Sequence, residues 1–172
     1  VVLSRGLGDV YKRQDRETSG VMIFAKHKRH KEYLQEQFAN RSVHRIYHAL
    51  IEGRPEKNNG IIHEWLLEDK FLRVKAVNKN HPSAKEAITY WSVEDSDEFA
   101  SLLSLTIETG RRHQIRVGLA NLGHPVVGDK QHGAEGNPIG RIALHASSLE
   151  LLHPETDDPV RFEATIPFGP EN

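Results

Sequence analysis

Apolar residues recur along this 172-residue chain with two periods, and the changes of period divide it into elements. Val21-Met22-Ile23-Phe24-Ala25 is a continuous β-branched and aromatic run, which predicts a buried strand directly behind the polar turn Asp15-Arg16-Glu17-Thr18-Ser19-Gly20. Tyr33, Leu34, Gln37 and Phe38 fall at helical spacing and predict a helix that opens with Lys26-His27-Lys28-Arg29-His30-Lys31 and closes near Asn40. From Ser42 to Gly53 the period is two, with Val43, Arg45, Tyr47, Ala49 and Ile51 on one side of a strand. Apolar stretches at 61–67 and 71–77 around Glu68-Asp69-Lys70 predict a hairpin, and 85–94 with 99–108 a second antiparallel pair across an acidic turn. Ile115, Leu119 and Leu122 mark a helix from about Arg112 to Leu122, stopped by Gly123. After a loose stretch at 131–140, a last strand pair runs from Ile142 to Leu152 and from Val160 to Ile166. Strands outnumber helices and their connections look antiparallel, so the expected fold class is α+β: a mixed, mainly antiparallel sheet with flanking helices.

Composition narrows the function classes. Hydrophobic residues at 37% and charged ones at 27% suit a globular domain, and no apolar run approaches the roughly 18 residues of a membrane span. There is no cysteine, which removes disulfides, thiolate metal sites and a thiol nucleophile and fits a cytoplasmic location. The formal net charge is −1, but its distribution is uneven. Between Lys26 and Arg45 six Lys and Arg face two Glu, whereas from Glu150 onward six acids face only Arg161. One cationic face on a nearly neutral protein is the result expected.

Eleven histidines invite a metal site, but His44 and His48 lie on a predicted strand and His63-Glu64-Trp65-Leu66-Leu67 lacks the second histidine of H-E-x-x-H. No metal and no cofactor is expected. A phosphate loop and a serine-nucleophile elbow are both missing from the sequence. What remains is an acidic turn, a tyrosine on a basic strand and an arginine-rich helix start. Taken alone, the turn reads as one whose Asp and Ser side chains cap backbone groups.

Together these segments resemble the pseudouridine synthases of the RluA type, which isomerise uridines in ribosomal or transfer RNA. Asp15-Arg16-Glu17-Thr18-Ser19-Gly20 is similar to the family's H-R-L-D-R-x-T-S-G turn, and Arg45-Ile46-Tyr47-His48-Ala49-Leu50-Ile51-Glu52-Gly53 to its tyrosine strand. Gly110-Arg111-Arg112-His113-Gln114-Ile115-Arg116, Gly123-His124-Pro125-Val126-Val127-Gly128-Asp129 and Arg141-Ile142-Ala143-Leu144-His145-Ala146 follow in the family's order. The resemblance implies Asp15 as the catalytic aspartate and Tyr47 as the ring stacked on the target base. It also implies Leu144 as an apolar wall and Arg116, on the exposed first turns of its helix, as the counter-ion of Asp15. Arg13, Arg16, Thr18, Arg111, Arg112, His113 and Gln114 complete the implied substrate-binding set, with phosphates held by the basic residues at 26–31 and 111–112. Uridine isomerisation exchanges a C–N for a C–C glycosidic bond without redox change or cofactor. It needs a carboxylate kept charged in a dry pocket, where burial opposes the charge and a neighbouring arginine favours it. The implied partner is RNA, and the chain is expected to be a monomer.

Arg13 matches the family's turn, while Lys12 and Gln14 depart from it. Residues 1–14 carry neither a helical nor a strand period and are expected to be a non-native leader, with 15–172 the C-terminal portion of a catalytic domain. Two other functions fit parts of the pattern: a catalytically inactive RNA-binding relative, and a small-molecule glycosidase or lyase. The latter needs a second carboxylate near Asp15, for which Glu17 and Glu108 are the candidates.

Overall fold

The structure, a computed structural model, describes residues 2–3 and 15–170. Most of the expected leader, residues 1 and 4–14, therefore lies outside the described residues. The backbone of β1 (Val2–Leu3) runs parallel to β3 (Phe24–Ala25).

The α+β expectation holds. One mixed sheet has the order β10-β9-β4-β8-β7-β5-β6, with the short strand β2 (Ser19–Gly20) lying parallel to β9. Its members are β4 (His44–Glu52), β5 (Asn59–Glu68), β6 (Val74–Val77), β7 (Lys85–Ser96), β8 (Ala100–Ile107), β9 (Leu144–Leu152) and β10 (Pro159–Glu163). The pairings among these seven strands are antiparallel, as the turn-separated apolar runs anticipated. β4 lies inside the sheet between β9 and β8, and its second half, His48 to Ile51, is buried on both faces. A register shift against β9 falls between Ile46 and Tyr47, so a bulge re-aims the tyrosine.

Helix α1 (Lys28–Ala39) ends on Asn40, as its spacing predicts. It covers a small cluster in which Leu34 packs with Val43, Leu149 and Leu151. Helix α2 spans Gln114–Asn121 and sits over the main core through Ile115 and Leu119, which join Leu103, Leu105 and Val126. Val117 reaches a third cluster with Leu66 and Ala87.

Three expectations need correction. Val21 to Ala25 is not one buried strand: Met22 and Phe24 are exposed, while Val21 and Ile23 pack against the α1 cluster. Gly20 explains the break. At φ +108° it carries the chain within touching distance of β9, where an added Cβ would lie 2.1 Å from the Ala146 carbonyl oxygen, and pairing stops after the Val21 amide. Helix α2 starts at Gln114 rather than Arg112, because His113 takes the left-handed conformation (φ 50°, ψ 20°) and cannot continue a helix backward. Leu122, assigned to the apolar stripe, caps α2 in an exposed position.

Candidate active site

The turn at Asp15 forms because its residues can satisfy their own backbone. The Thr18 amide donates to the Asp15 carbonyl (3.2 Å) and the Glu17 amide to Asp15 Oδ1 (3.2 Å). The turn is then tied to the sheet through Ser19, whose hydroxyl is hydrogen-bonded to His145 Nδ1 (2.7 Å) and accepts from the Arg141 guanidinium. Strand β9 thus fixes where Asp15 stands.

Arg116 reaches that carboxylate from α2. Its Nη1 lies 2.9 Å from both Asp15 oxygens, and on its other edge Nε and Nη2 donate to Asp129 Oδ2 (2.6 Å) and Oδ1 (2.7 Å). The remaining N–H groups face Gln131 Oε1 and His113 Nε2, each at 3.5 Å, so all five donors are directed. Arg116 is 2% exposed, and the expected exposed first turn is in fact a buried charge cluster. An arginine there is tolerable because two carboxylates neutralise it with near-ideal geometry.

Asp129 is fully buried and also accepts from His132 Nδ1 at 2.9 Å. Burial pushes its carboxyl up, but the bonds from Arg116 and His132 outweigh that and hold it well below the ordinary carboxylate range. His113 shows the reverse balance. Burial and the adjacent Arg116 charge lower its imidazole to about 4, against a smaller opposing pull from Asp15, whose Oδ1 is 4.0 Å away. His113 is therefore neutral near pH 7. If Arg116 donates to Nε2, the ring proton sits on Nδ1, which is buried without a partner.

Asp15, Tyr47, Arg116 and Leu144 line one cleft of about 600 Å³. Thr18, Arg111, Arg112, His113 and Gln114 line it as well, so the structure gathers nearly all of the site expected from sequence. Tyr47 presents its ring from the β4 bulge, and burial pushes its phenol up despite the Arg45 guanidinium beside it. Phe38 of α1 also lines the cleft, with Arg45 stacked 5.5 Å from its ring centre.

Some expected residues fall elsewhere. Arg16 is exposed and does not line the cleft, and Arg13 lies outside the described residues. Gln114 lines the cleft, yet its amide is spent internally. Oε1 accepts from Thr109 Oγ1 (2.7 Å) and the Arg111 amide (3.0 Å), and Nε2 donates to the Ile88 carbonyl (2.9 Å) and Thr89 Oγ1 (3.0 Å). That side chain fixes the arginine loop rather than meeting a substrate. Of the basic run on α1, Arg29 and His30 both engage Glu155, so the acidic C-terminal region partly neutralises it.

Sequence reading did not single out Asp129, His132, Ser19 or Arg141. For Asp129 a signal existed: a charged residue directly after the apolar pair Val126-Val127 and a glycine must be either a turn or a buried partner. Gly128, at φ +82° with a virtual Cβ 2.2 Å from the Arg141 carbonyl oxygen, is the close approach that delivers it.

Glu17 and Glu108, the alternative carboxylates, do not line this cleft. Glu108 is engaged by the Tyr90 hydroxyl and lies 3.6 Å from Arg41. Among the described residues, Asp15 is the only acid facing the cavity.

A family profile described as RNA pseudouridylate synthase matches residues 9–121. An RNA pseudouridine synthase of Bacillus subtilis, YhcT, described as uncharacterized, is 36% identical over 93% of this chain and 53% of its own length. The ribosomal large subunit pseudouridine synthase D of Blochmanniella floridana is 31% identical over 92% of this chain and 54% of its own. The chain thus spans about half the length of these curated relatives. Among solved structures, human RNA pseudouridylate synthase domain containing 1 superposes with a TM-score of 0.73 at 26% identity, over 86% of this chain and 64% of that one. With motifs, fold and relatives in agreement, the chain belongs to the RNA pseudouridylate synthase family, of the RluA type.

Proposed function

We propose that this chain carries the catalytic centre of an enzyme that isomerises specific uridines to pseudouridine in structured RNA, with Asp15 as its catalytic residue. The observation that carries this reading is a carboxylate, the only one facing the cleft among the described residues, paired with a buried arginine in a cleft that Tyr47 and Leu144 also line. Arg116 pairs with Asp15 and holds its carboxylate at the cleft. Tyr47 and Leu144 sandwich the uracil once it has left its stack. Thr18 supplies a polar contact, and Arg111 with Arg112 meets the flanking phosphates.

The absence of a second acid facing the cavity among the described residues disfavours the glycosidase reading, which needs two carboxylates. The inactive-relative reading is disfavoured by the intact Asp15–Arg116 pair. The substrate is ribosomal or transfer RNA, and the name of the Blochmanniella relative makes large-subunit ribosomal RNA the first to map. No helix among the described residues is long and apolar enough to cross a membrane, and the proposed setting is a cytoplasmic monomer.

The test is to restore a full-length chain and map pseudouridine in cellular RNA with and without it. Asp15→Ala is expected to abolish every site gained while leaving the fold intact. Sites that persist in that variant would refute the assignment.

A further inference from the structure

The far edge of the sheet carries a tip that the cleft chemistry leaves unexplained. Residues 70–85 contain five Lys and Arg and no acid, in a chain whose net charge is −1. At the β5–β6 turn Phe71 is 65% exposed and belongs to none of the apolar clusters. The Lys70 ammonium lies 5.0 Å from its ring centre and the Arg73 guanidinium 5.3 Å.

This tip is built, not loose. Asp69 accepts from the Phe71 amide (2.8 Å), the Arg73 amide (3.0 Å) and Arg73 Nε (3.0 Å). The Leu72 amide donates to the Asp69 carbonyl (3.0 Å), with Leu72 held at φ 62°. An exposed aromatic ring on a hydrogen-bonded turn, with cations beside it, matches the chemistry of unpaired RNA, which offers base faces for stacking and phosphates for the cations.

The sheet register connects the tip to the cleft. Tyr47 pairs with Leu105, and Leu105 with Trp91. Along β7 the same face then carries Thr89 and Ala87, which are buried, and Lys85, which is exposed at the strand's end. Arg111, on the cleft, donates to the carbonyl of Glu86 beside Lys85 (2.9 Å). Lys85 pairs with Leu66, and the tip begins at Asp69, just past the end of β5 and three residues from Leu66, about 10 Å at strand rise. The cations at Arg111, Lys85 and the tip follow one direction away from the cleft.

We propose that the β5–β6 tip is a second RNA contact, in which Phe71 stacks on an unpaired base flanking the target and Lys70, Lys75 and Lys79 meet adjoining phosphates. It rests on the RNA reading of the cleft. The experiment uses the restored full-length enzyme, Phe71→Ala, Phe71→Trp and the triple Lys70→Gln/Lys75→Gln/Lys79→Gln. Two probes are titrated across a range of KCl: a stem–loop RNA with an unpaired uridine-rich tail, and the same stem–loop with a blunt end. Phe71→Ala is expected to weaken the tailed RNA about tenfold and spare the blunt one, with Phe71→Trp restoring binding. The triple variant is expected to flatten the log K against log salt slope by about 2.

Tailed-RNA binding within twofold of wild type in Phe71→Ala overturns the inference. So does a concentration-dependent dimer lost in that variant, which would assign the surface to a second copy. Pseudouridine formation assayed on the same proteins separates the two readings. Tip-dependent binding without conversion overturns the cleft reading and keeps the tip. Conversion indifferent to Phe71 overturns the tip alone.

Discussion

Asp15 and Asp129 stand at opposite edges of the Arg116 guanidinium, yet their surroundings differ in every respect. Asp129 has no exposure and accepts three short hydrogen bonds, two from Arg116 and one from His132. Asp15 receives only Nη1 from the guanidinium and a longer bond from the Glu17 amide (3.2 Å), retains 15% side-chain exposure and faces the cavity. The buried carboxylate immobilises the arginine, and the arginine is thereby held out to the other. Because Asp129 already supplies bidentate neutralisation, Asp15 keeps lone pairs free for chemistry. One carboxylate is structural and the other is left available.

The largest expected effects test that asymmetry directly. Asp129→Asn leaves Arg116 buried with one short partner fewer and should cost about 3–5 kcal/mol of folding stability, as should Arg116→Met from the other side. Asp15→Asn leaves Arg116 paired with Asp129, so stability should fall by only about 1 kcal/mol while pseudouridine formation disappears. Urea unfolding alongside an RNA conversion assay measures both. Equal destabilisation by the two Asp→Asn changes would remove the distinction.

The same cluster sets the next effect, in pH. His113 falls from 6.5 to about 4 on folding, so between those values the unfolded chain binds the extra proton and stability declines as pH drops. A shift of that size corresponds to on the order of 3 kcal/mol, fully lost below about pH 4. Asp129 acts in the window beneath. Its folded carboxyl is depressed, so its contribution is present above about pH 4 and is lost as pH falls further. His113→Gln should flatten the stability profile between pH 6.5 and 4 and leave the fall below it. His145, lowered chiefly by burial, will keep a residual slope. A profile unchanged by His113→Gln would show that the histidine is not desolvated as described.

How much of this was legible in sequence follows from the range of each interaction. Strand order in the hairpins was readable because residues such as 85–94 and 99–108 pair across local turns. The Asp15–Arg116 partnership was readable only through the resemblance, since 101 positions separate the two residues. The burial of Arg116 was not readable. Its neighbours Arg111 and Arg112 give the segment a surface-like composition, and only the return of the 123–133 loop with Asp129 makes an interior arginine affordable. The strand at 21–25 was misread because an apolar run looks the same whether one face or both are covered. Gln114, close to Arg111, Arg112 and Arg116 in sequence, looks like a substrate contact, and two of its four internal bonds reach Ile88 and Thr89 of β7, some twenty-five residues earlier.

Glycines position both carboxylates, and they allow a smaller test. Gly20 and Gly128 each have positive φ, with a virtual Cβ 2.1 and 2.2 Å from a backbone oxygen. Alanine at either should cost about 2 kcal/mol or more from strain and displacement. The consequences should differ. Gly20→Ala shifts the Asp15 turn off β9 and should depress kcat in the RNA assay, and Gly128→Ala should act mainly on stability through Asp129. Matching kcat losses at matched stability would mean that the two sides of the guanidinium are not independent.

The smallest effect contrasts this interior cluster with a charge pair in solvent. Arg29 and His30 share Glu155, with Arg29 76% and Glu155 51% exposed at the side chain. Water and salt screen such a pair, so Glu155→Gln should leave the unfolding midpoint unchanged within error, unlike Asp129→Asn. Its effect should appear in binding instead. Releasing Arg29 adds a cation to the α1 run without altering the cleft, and RNA affinity should rise about twofold at low salt and converge with wild type as salt increases. Weaker binding at low salt would mean that Glu155 orients Arg29 toward the RNA, and the basic run would then be a positioned contact rather than a screened surface.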